Sequence, residues 1–145
     1  MFSLVGFSSC SKDDDDKSNK SDLVGMWEVV SDKGWDKENG VIIYEWDQTG
    51  DEIDDKWAIE FKENGKFFMY DLNGDISDDM MADDLTWKYK NNKIYLCSAE
   101  YGIEQEWTTV KELTSTTLVL EAHYKYNDGG DVYEDWSLST FKRIK

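Results

Sequence analysis

Proline is absent from this chain of 145 residues, and several other residue types are scarce. There is one histidine, His123, and every basic residue except Arg143 is a lysine. The formal net charge is −16, and a field of that sign repels phosphate backbones, which argues against nucleic-acid binding. No apolar run approaches the roughly 18 residues of a membrane-spanning helix, so the sequence predicts no such helix.

Catalytic chemistry finds little support in the sequence. His123 falls on the polar face of its predicted strand, with no Ser or Cys constellation directed at it, so no nucleophilic triad is expected. Asp and Glu number 32, and with so many carboxylates some pairs arise by chance, so none defines a glycosidase dyad. Residues 71–79 echo the spacing of a calcium loop, but Ile76 replaces its Gly and Ala82 its bidentate Glu. We therefore expect no enzyme activity, no cofactor and no metal site, and a plain hairpin loop at residues 72–84.

Aromatic residues, in contrast, are abundant. They make up 14% of the chain, with seven Trp and eight Tyr, so it can fill a core although one-third of it is charged. Its length suits one domain and a tail. Most segments alternate with period two, as residues 118–126 do, which is typical of strands with one dry face. We predict strands near residues 24–31, 40–46, 57–62, 66–72, 85–90, 93–98, 103–112, 117–126 and 132–144, the last with a bulge between Leu138 and Phe141.

Eight or nine short antiparallel strands predict an all-β, up-and-down barrel, because closure removes exposed sheet edges. A two-sheet β-sandwich is the alternative. Charged residues such as Glu60, Lys62, Lys88 and Glu121 alternate onto the outer face, which excludes a membrane-spanning barrel. At most a short helix is expected, with Ser21 and Asp22 as its cap. Cys97, in a strand-like run, is expected to be a small buried hydrophobe rather than a reactive thiol.

The first residues predict a lipid anchor. An apolar run, residues 2–7, is followed by two serines and Cys10. This resembles the end of a bacterial lipoprotein signal peptide, in which the lipid-modified Cys becomes the mature N-terminus. Since the run is short and no Lys or Arg precedes it, we expect a trimmed start or an upstream initiator. A chance cysteine in an unstructured leader is the alternative.

The acidic run that follows predicts where the protein is displayed. Ser11, Lys12 and Asp13, Asp14, Asp15, Asp16 resemble the surface-export signal of Bacteroidetes lipoproteins, which implies a lipid-anchored, surface-exposed protein of the outer membrane. A solvated linker and a cloning remnant are the alternatives, because DDDDK also occurs in purification tags. Adjacent carboxylates repel one another and keep a tether extended. We thus divide the chain into a truncated signal peptide (1–9), a lipidated Cys with its flexible tether (10–21) and a barrel domain (22–145).

Several motifs after the tether resemble a known family. Gly25-Met26-Trp27 resembles the Gly-x-Trp opening of lipocalins, in which the Trp closes one end of the barrel. Residues 61–67, 85–89, 110–120 and 141–142 resemble, in the same order, the lipocalin-like domain of Bacteroidetes lipoproteins. The resemblance spans residues 23–144 and implies an eight-stranded calyx, but it identifies no ligand.

Two functions remain open from the sequence. One is a surface-anchored barrel that binds a small apolar or amphipathic ligand, and a cavity of at least about 300 Å³ would favour it. The other is a protein-interaction or structural lipoprotein with a filled barrel, whose acidic loops 47–56, 72–84, 98–102 and 127–131 meet a basic partner. If successive strands simply alternate in direction, these four loops lie at one end and the first loop, 32–39 with Trp35, lies at the other. A standard lipocalin has its first loop at the open mouth, so this arrangement conflicts with it. Candidate ligand-lining residues are Trp57, Trp87, Tyr89, Trp107 and Tyr124.

Overall fold

A computed structural model describes residues 17–54, 56–72, 85–98 and 102–145. The predictions for residues 1–16 and 73–84, including Cys10, the export signal and most of the calcium-like loop, lie outside the described residues. The described elements are α1 (Lys17–Leu23), β1 (Gly25–Glu38), β2 (Val41–Thr49), a 3-10 turn (Gly50–Glu52), β3 (Trp57–Phe61), β4 (Phe67–Asp71), β5 (Leu85–Lys90), β6 (Lys93–Ser98), β7 (Ile103–Leu113), β8 (Thr117–Asp128) and β9 (Asp131–Arg143). Among these elements, no helix is long and apolar enough to span a membrane.

The strands form an antiparallel barrel. Their order around it is β4-β3-β1-β9-β8-β7-β6-β5, with β2 beside β1. The first and last strands of this order meet through a bridge between Lys66 and Thr86 and a hydrogen bond of 2.9 Å from the Trp87 N–H to the Gly65 carbonyl. The barrel is therefore nearly closed. The predicted all-β barrel is confirmed, and the sandwich alternative does not hold.

Two strands share one position along β1. Residues 25–28 of β1 pair with β3, and residues 31–38 pair with β2. Both partners run antiparallel to β1, so β2 and β3 point the same way and follow each other end to end. The nine described strands therefore occupy eight positions. The assumption of simple alternation between β2 and β3 is wrong.

The shared position changes which loops meet at one end. The connections β1–β2, β4–β5, β6–β7 and β8–β9 all join strands at the same end, which we term the open end. Residues 47–56 do not belong to it, because 47–49 lie in β2 and the chain after them leads to β3, which follows β2 along the same position. The first hairpin is at the open end, so the conflict with a standard lipocalin disappears.

Beyond the barrel, β2, β1, β9 and β8 continue at the open end as a four-stranded sheet, which we term the extension. Residues 32–39, predicted as a loop, form the second half of β1 instead. The hairpin to β2 turns at Asn39 and Gly40, whose φ angles of 50° and 84° suit a two-residue turn that twists with its strands. Trp35 consequently lies in a paired strand and not in a loop.

The predicted bulge lies in a different strand. β9 pairs with β8 without interruption, whereas the register between β1 and β9 shifts between Val29 and Ser31. The apolar residues Trp136 and Leu138 lie on the outer face of β9, and Phe141 lies on the inner face. The apolar residues of β9 therefore change from the outer to the inner face where the extension joins the barrel. In the sequence, this change of face has the same pattern as a bulge.

The hydrophobic core fills the opposite, closed end. Trp27 is fully buried there, and its indole N–H donates to the Leu23 carbonyl at 2.9 Å. The Arg143 guanidinium lies 4.2 Å from the ring centroid of Trp27 and donates to the Val24 carbonyl at 2.6 Å. A Cβ at Gly25 would lie 2.6 Å from the Lys145 carbonyl oxygen, and the φ of 140° disfavours any side chain, so this position requires glycine. The implied role of Trp27 in closing one end is confirmed.

The short helix α1 covers this closed end. Ser21 and Asp22 lie in its last turn, so the expectation that they cap its N-terminus is wrong. The helix also includes Lys17, and it therefore takes in the last part of the predicted tether. Arg143 fixes the end of α1 to β9 through a hydrogen bond of 2.5 Å from its Nη2 to the Asp22 carbonyl.

Candidate functional site at the open end

A cavity of about 180 Å³ lies inside the barrel on the open-end side of the core. Its walls combine large apolar side chains with a few polar ones: Asp32, Trp46, Trp57, Trp107, Thr108, Leu120, Ala122, Ser137, Ser139 and Phe141. Its volume falls short of the roughly 300 Å³ that would favour a small-molecule ligand. The cavity therefore has room for one part of such a ligand, and the rest would lie outside it.

The structure places the five predicted lining residues at three levels. Trp57 and Trp107 line the cavity. Trp87 and Tyr89 are each 2% exposed within the core and do not line it. Tyr124 lies beyond the cavity in the extension, where its hydroxyl donates to the Trp107 carbonyl. Two of the five residues thus contribute to the cavity wall.

Asp32 and Trp46 are lining residues that sequence reasoning missed. The Asp32 carboxylate accepts hydrogen bonds from Ser139 Oγ at 2.7 Å and from the Trp46 indole N–H at 3.0 Å. The Trp46 ring crosses Gly34, where a Cβ would lie 2.5 Å from the ring. A glycine at this position therefore lets the indole lie against the backbone of β1. The sequence signal was the spacing of Asp32, Gly34 and Asp36, which share one face of a strand.

The cavity adjoins the inner face of the extension, by which we mean the face continuous with the barrel interior. The strand registers place on it six carboxylates and five aromatic rings: Asp32, Asp36, Glu38, Asp128, Asp131 and Asp135, with Tyr44, Trp46, Tyr124, Tyr126 and Tyr133. In these described strands the basic residues Lys33, Lys37 and Lys125 alternate onto the outer face. The inner face is therefore acidic and aromatic.

Comparison with protein families matches residues 23–120 to the lipocalin-like domain. The chain belongs to this family. The matched segment ends within β8, and the structure shows that β9 completes the lipocalin-like barrel by pairing with both β8 and β1. Comparisons with curated proteins and with solved structures found no match.

Two inner-face carboxylates of the lipocalin-like barrel are direct neighbours. Asp36 and Asp135 are paired across β1 and β9. Partial burial raises the pKa of Asp36, and the charge of Asp135 and a hydrogen bond to it raise this pKa further. These two carboxylates therefore place negative charges close to each other on the inner face.

We expect Asp135→Asn to lower the pKa of Asp36. Because that pKa is raised on folding, the folded state binds more protons between the unfolded and folded pKa values, and stability falls as pH rises through this window. Above the folded pKa, the charged Asp36 carboxylate destabilises the folded state by its full amount. Asp135→Asn reduces this destabilisation, so the free energy of unfolding at pH 7 should rise, by less than about 1 kcal/mol. Carboxyl ¹³C NMR titration and urea unfolding at pH 7 and pH 3 measure both effects. Asp47→Asn, on the outer face, is the control, and an unchanged Asp36 midpoint in Asp135→Asn would refute the coupling.

Other chemistry is sparse in the described residues. They contain no group of three or more His, Cys, Asp or Glu side chains that could hold a metal ion. His123 lies on the outer face, where its Nε2 is 2.6 Å from Glu134 Oε2, and this hydrogen bond lowers the pKa of Glu134. Cys97 is buried at the barrel wall, as expected for a small hydrophobe.

Proposed function

We propose that this lipocalin-like barrel is a non-enzymatic binding protein for a small amphipathic ligand with a cationic end. The observation that carries the proposal is the position of the cavity beside the inner face. Trp57 and Trp107 offer an apolar wall inside the barrel, and the carboxylates of Asp36 and Asp135 lie farther out. Aromatic rings and carboxylates together favour an organic ammonium group, through cation–π and charge attraction.

The dimensions support an amphipathic rather than a wholly apolar ligand. At about 180 Å³ the cavity accepts only part of such a molecule. The remaining part would extend along the inner face, past Tyr44 and Tyr124, where no lysine or arginine of the described extension faces it. A cationic group in this position would offset the repulsion between Asp36 and Asp135.

Three amphiphiles with one tail test the ligand class: octyltrimethylammonium, 1-octanol and octyl sulfate, each below its micelle concentration. We expect octyltrimethylammonium to bind at least about tenfold more tightly than octyl sulfate in calorimetry, a difference of about 1.4 kcal/mol. Trp107→Ala should weaken binding of the cation and the alcohol, because it removes part of the wall they share. Equal affinity for cation and anion would refute the cationic ligand, and no binding of any of the three would refute the ligand function.

The net charge of −16 attracts any cation, so a matched control is needed. Asp36→Asn and Asp47→Asn remove the same charge from opposite faces of the extension. Only Asp36→Asn should weaken octyltrimethylammonium binding by several-fold. Equal losses in the two variants would indicate general attraction and not a site.

A protein-interaction role is the second candidate, favoured by the edge strand β2. Within the described residues β2 pairs only with β1, and it exposes Val41, Ile42, Ile43 and Tyr44 along its free edge. An unpaired apolar strand is a template for a partner strand. This candidate gains support if all three amphiphiles fail to bind.

We further propose that Cys10 anchors the protein by lipid to the outer face of the outer membrane. The proposal is supported by the sequence around Cys10, which precedes Ser11, Lys12 and residues 13–16. Two or three acyl chains, at about 0.8 kcal/mol per buried methylene, make attachment stable, whereas one chain alone is marginal.

We expect Cys10→Ala to release the protein from the membrane fraction and to abolish incorporation of labelled palmitate. The test uses the full gene expressed in its own host. Mass spectrometry of non-reduced peptides from the wild type adds a direct measurement, because an acylated Cys10 peptide and a Cys10 peptide cross-linked to Cys97 are mutually exclusive products. Membrane fractionation and palmitate uptake equal to wild type would contradict the anchor, as would a cross-linked peptide without acylation.

A further inference from the structure

We propose that a groove on the outer face of the extension binds a neutral saccharide. The groove measures about 480 Å³ and is lined by Lys33, Gly34, Trp35, Glu45, Trp46, Asp47 and Trp136. It lies on the side of the sheet opposite to the acidic inner face, because Trp35 and Asp36 alternate along β1. The groove shares Trp46 with the barrel cavity but opens on the opposite face, so its ligand differs from the one proposed for the cavity.

Two tryptophans form one wall of the groove. Trp35 and Trp136 are direct partners across β1 and β9, and their rings are inclined by 26° with centroids 6.1 Å apart. Lys37 places its ammonium 4.2 Å from the Trp35 centroid. Because Lys33 lines the groove and Lys37 does not, the groove lies on the Lys33 side of Trp35. The pair thus presents indole surface to the groove.

The polar groups around this wall have hydrogen-bonding capacity to spare. Lys33, Glu45 and Asp47 make no side-chain hydrogen bond or ion pair with the described residues, and the Trp35 indole N–H donates to none of them. An ammonium and an indole N–H are donors, whereas carboxylates are acceptors. The groove therefore offers both kinds of partner beside an aromatic surface.

The mixed charges define the class of ligand. A cation would meet Lys33 and an anion would meet Glu45 and Asp47, so an ion of either sign is repelled by one wall. A pyranose is neutral, presents C–H groups on its flat face for packing on an aromatic ring, and carries hydroxyls on its rim that both donate and accept hydrogen bonds. These properties match the groove, and its volume suits one or two sugar rings, since ligand pockets measure about 300–1,000 Å³.

A panel of malto-, cello- and xylohexaose, titrated into the intact protein, tests the proposal by calorimetry and tryptophan fluorescence. We expect at least one hexaose to bind, and Trp35→Ala to weaken that binding at least tenfold. Trp35→Phe, which keeps an aromatic face but lacks the N–H, should weaken it less. Failure of all three hexaoses to bind at millimolar concentration overturns the proposal.

Matched controls separate the groove from the rest of the surface. Tyr126→Ala removes an exposed aromatic side chain from the same sheet but from its inner face, and it should leave saccharide affinity unchanged. Glu45→Gln retains hydrogen bonding without charge, so it should preserve most of the affinity. Circular dichroism identifies any variant that fails to fold, in which case Asp47→Ala and Lys33→Ala replace the tryptophan variant. Retained affinity in Trp35→Ala, or an equal loss in Tyr126→Ala, overturns the assignment.

Discussion

Replacing Trp27 by alanine is expected to destabilise the barrel by about 3–5 kcal/mol, the range found when a buried aromatic side chain is truncated. Trp27 is fully buried at the closed end, donates a hydrogen bond to Leu23 and lies under the Arg143 guanidinium. The substitution leaves a cavity, orphans the Leu23 carbonyl and removes the ring that Arg143 covers. Urea unfolding, followed by far-ultraviolet circular dichroism, measures the loss.

Tyr44→Ala is the matched control for Trp27→Ala. It also truncates an aromatic residue, but Tyr44 is 60% exposed in the extension. Its effect should stay within about 0.5 kcal/mol, as for other surface substitutions. If Trp27→Ala cost no more than Tyr44→Ala, Trp27 would not close the barrel end in the way the packing indicates. Trp27→Phe, which keeps most of the ring, should fall between the two.

The barrel could be predicted from the sequence because apolar and polar residues alternate in every strand segment that has one buried face. Leu118 and Leu120 are buried on β8 as their period indicates, whereas Tyr124 and Tyr126 on the same face are exposed. Alternation identifies the face of a strand but not the depth along the barrel axis. For the same reason Trp87 and Tyr89 could not be separated in advance from Trp57 and Trp107.

The second half of β1 escaped prediction because its inward-facing residues are polar or glycine. Asp32, Gly34 and Asp36 continue the inward-facing positions of β1, but these residue types resemble a loop when no apolar residue accompanies them. The turn at Asn39-Gly40 was an available signal, since this dipeptide favours a two-residue hairpin. Reading it as a turn would have extended both β1 and β2, and it would have brought Asp32 and Trp46 into the candidate site.

Lys88 shows a second limit of predicting burial from the alternation of residues along a strand. Its neighbours Trp87 and Tyr89 face the core, so Lys88 was expected on a solvated outer face. It is 6% exposed, and its Nζ lies 2.6 Å from Glu104 Oε1. A period of two places a side chain on one side of a sheet, but it does not indicate whether water reaches that side.

We expect Lys88→Met to destabilise the protein by about 3 kcal/mol, because it leaves the Glu104 carboxylate without its buried counter-charge. Glu104 retains 21% side-chain exposure, against 7% for Lys88, so residual hydration keeps the loss at the lower end of the usual range for broken buried pairs. The double variant Lys88→Met with Glu104→Leu removes both charges and should recover most of the stability. Urea unfolding of the two single variants and the double variant gives the coupling energy.

The pair of Lys93 with Glu106 provides a control on the neighbouring strands β6 and β7. Its atoms lie 2.9 Å apart, but its side chains are 41% and 49% exposed. Lys93→Met should cost much less than Lys88→Met, because water solvates the carboxylate that remains. The difference between the two methionine variants therefore measures the effect of burial on pairs of the same chemistry. Equal costs would show that water reaches Glu104 as freely as Glu106 in solution, and the burial of Lys88 would then have no energetic consequence.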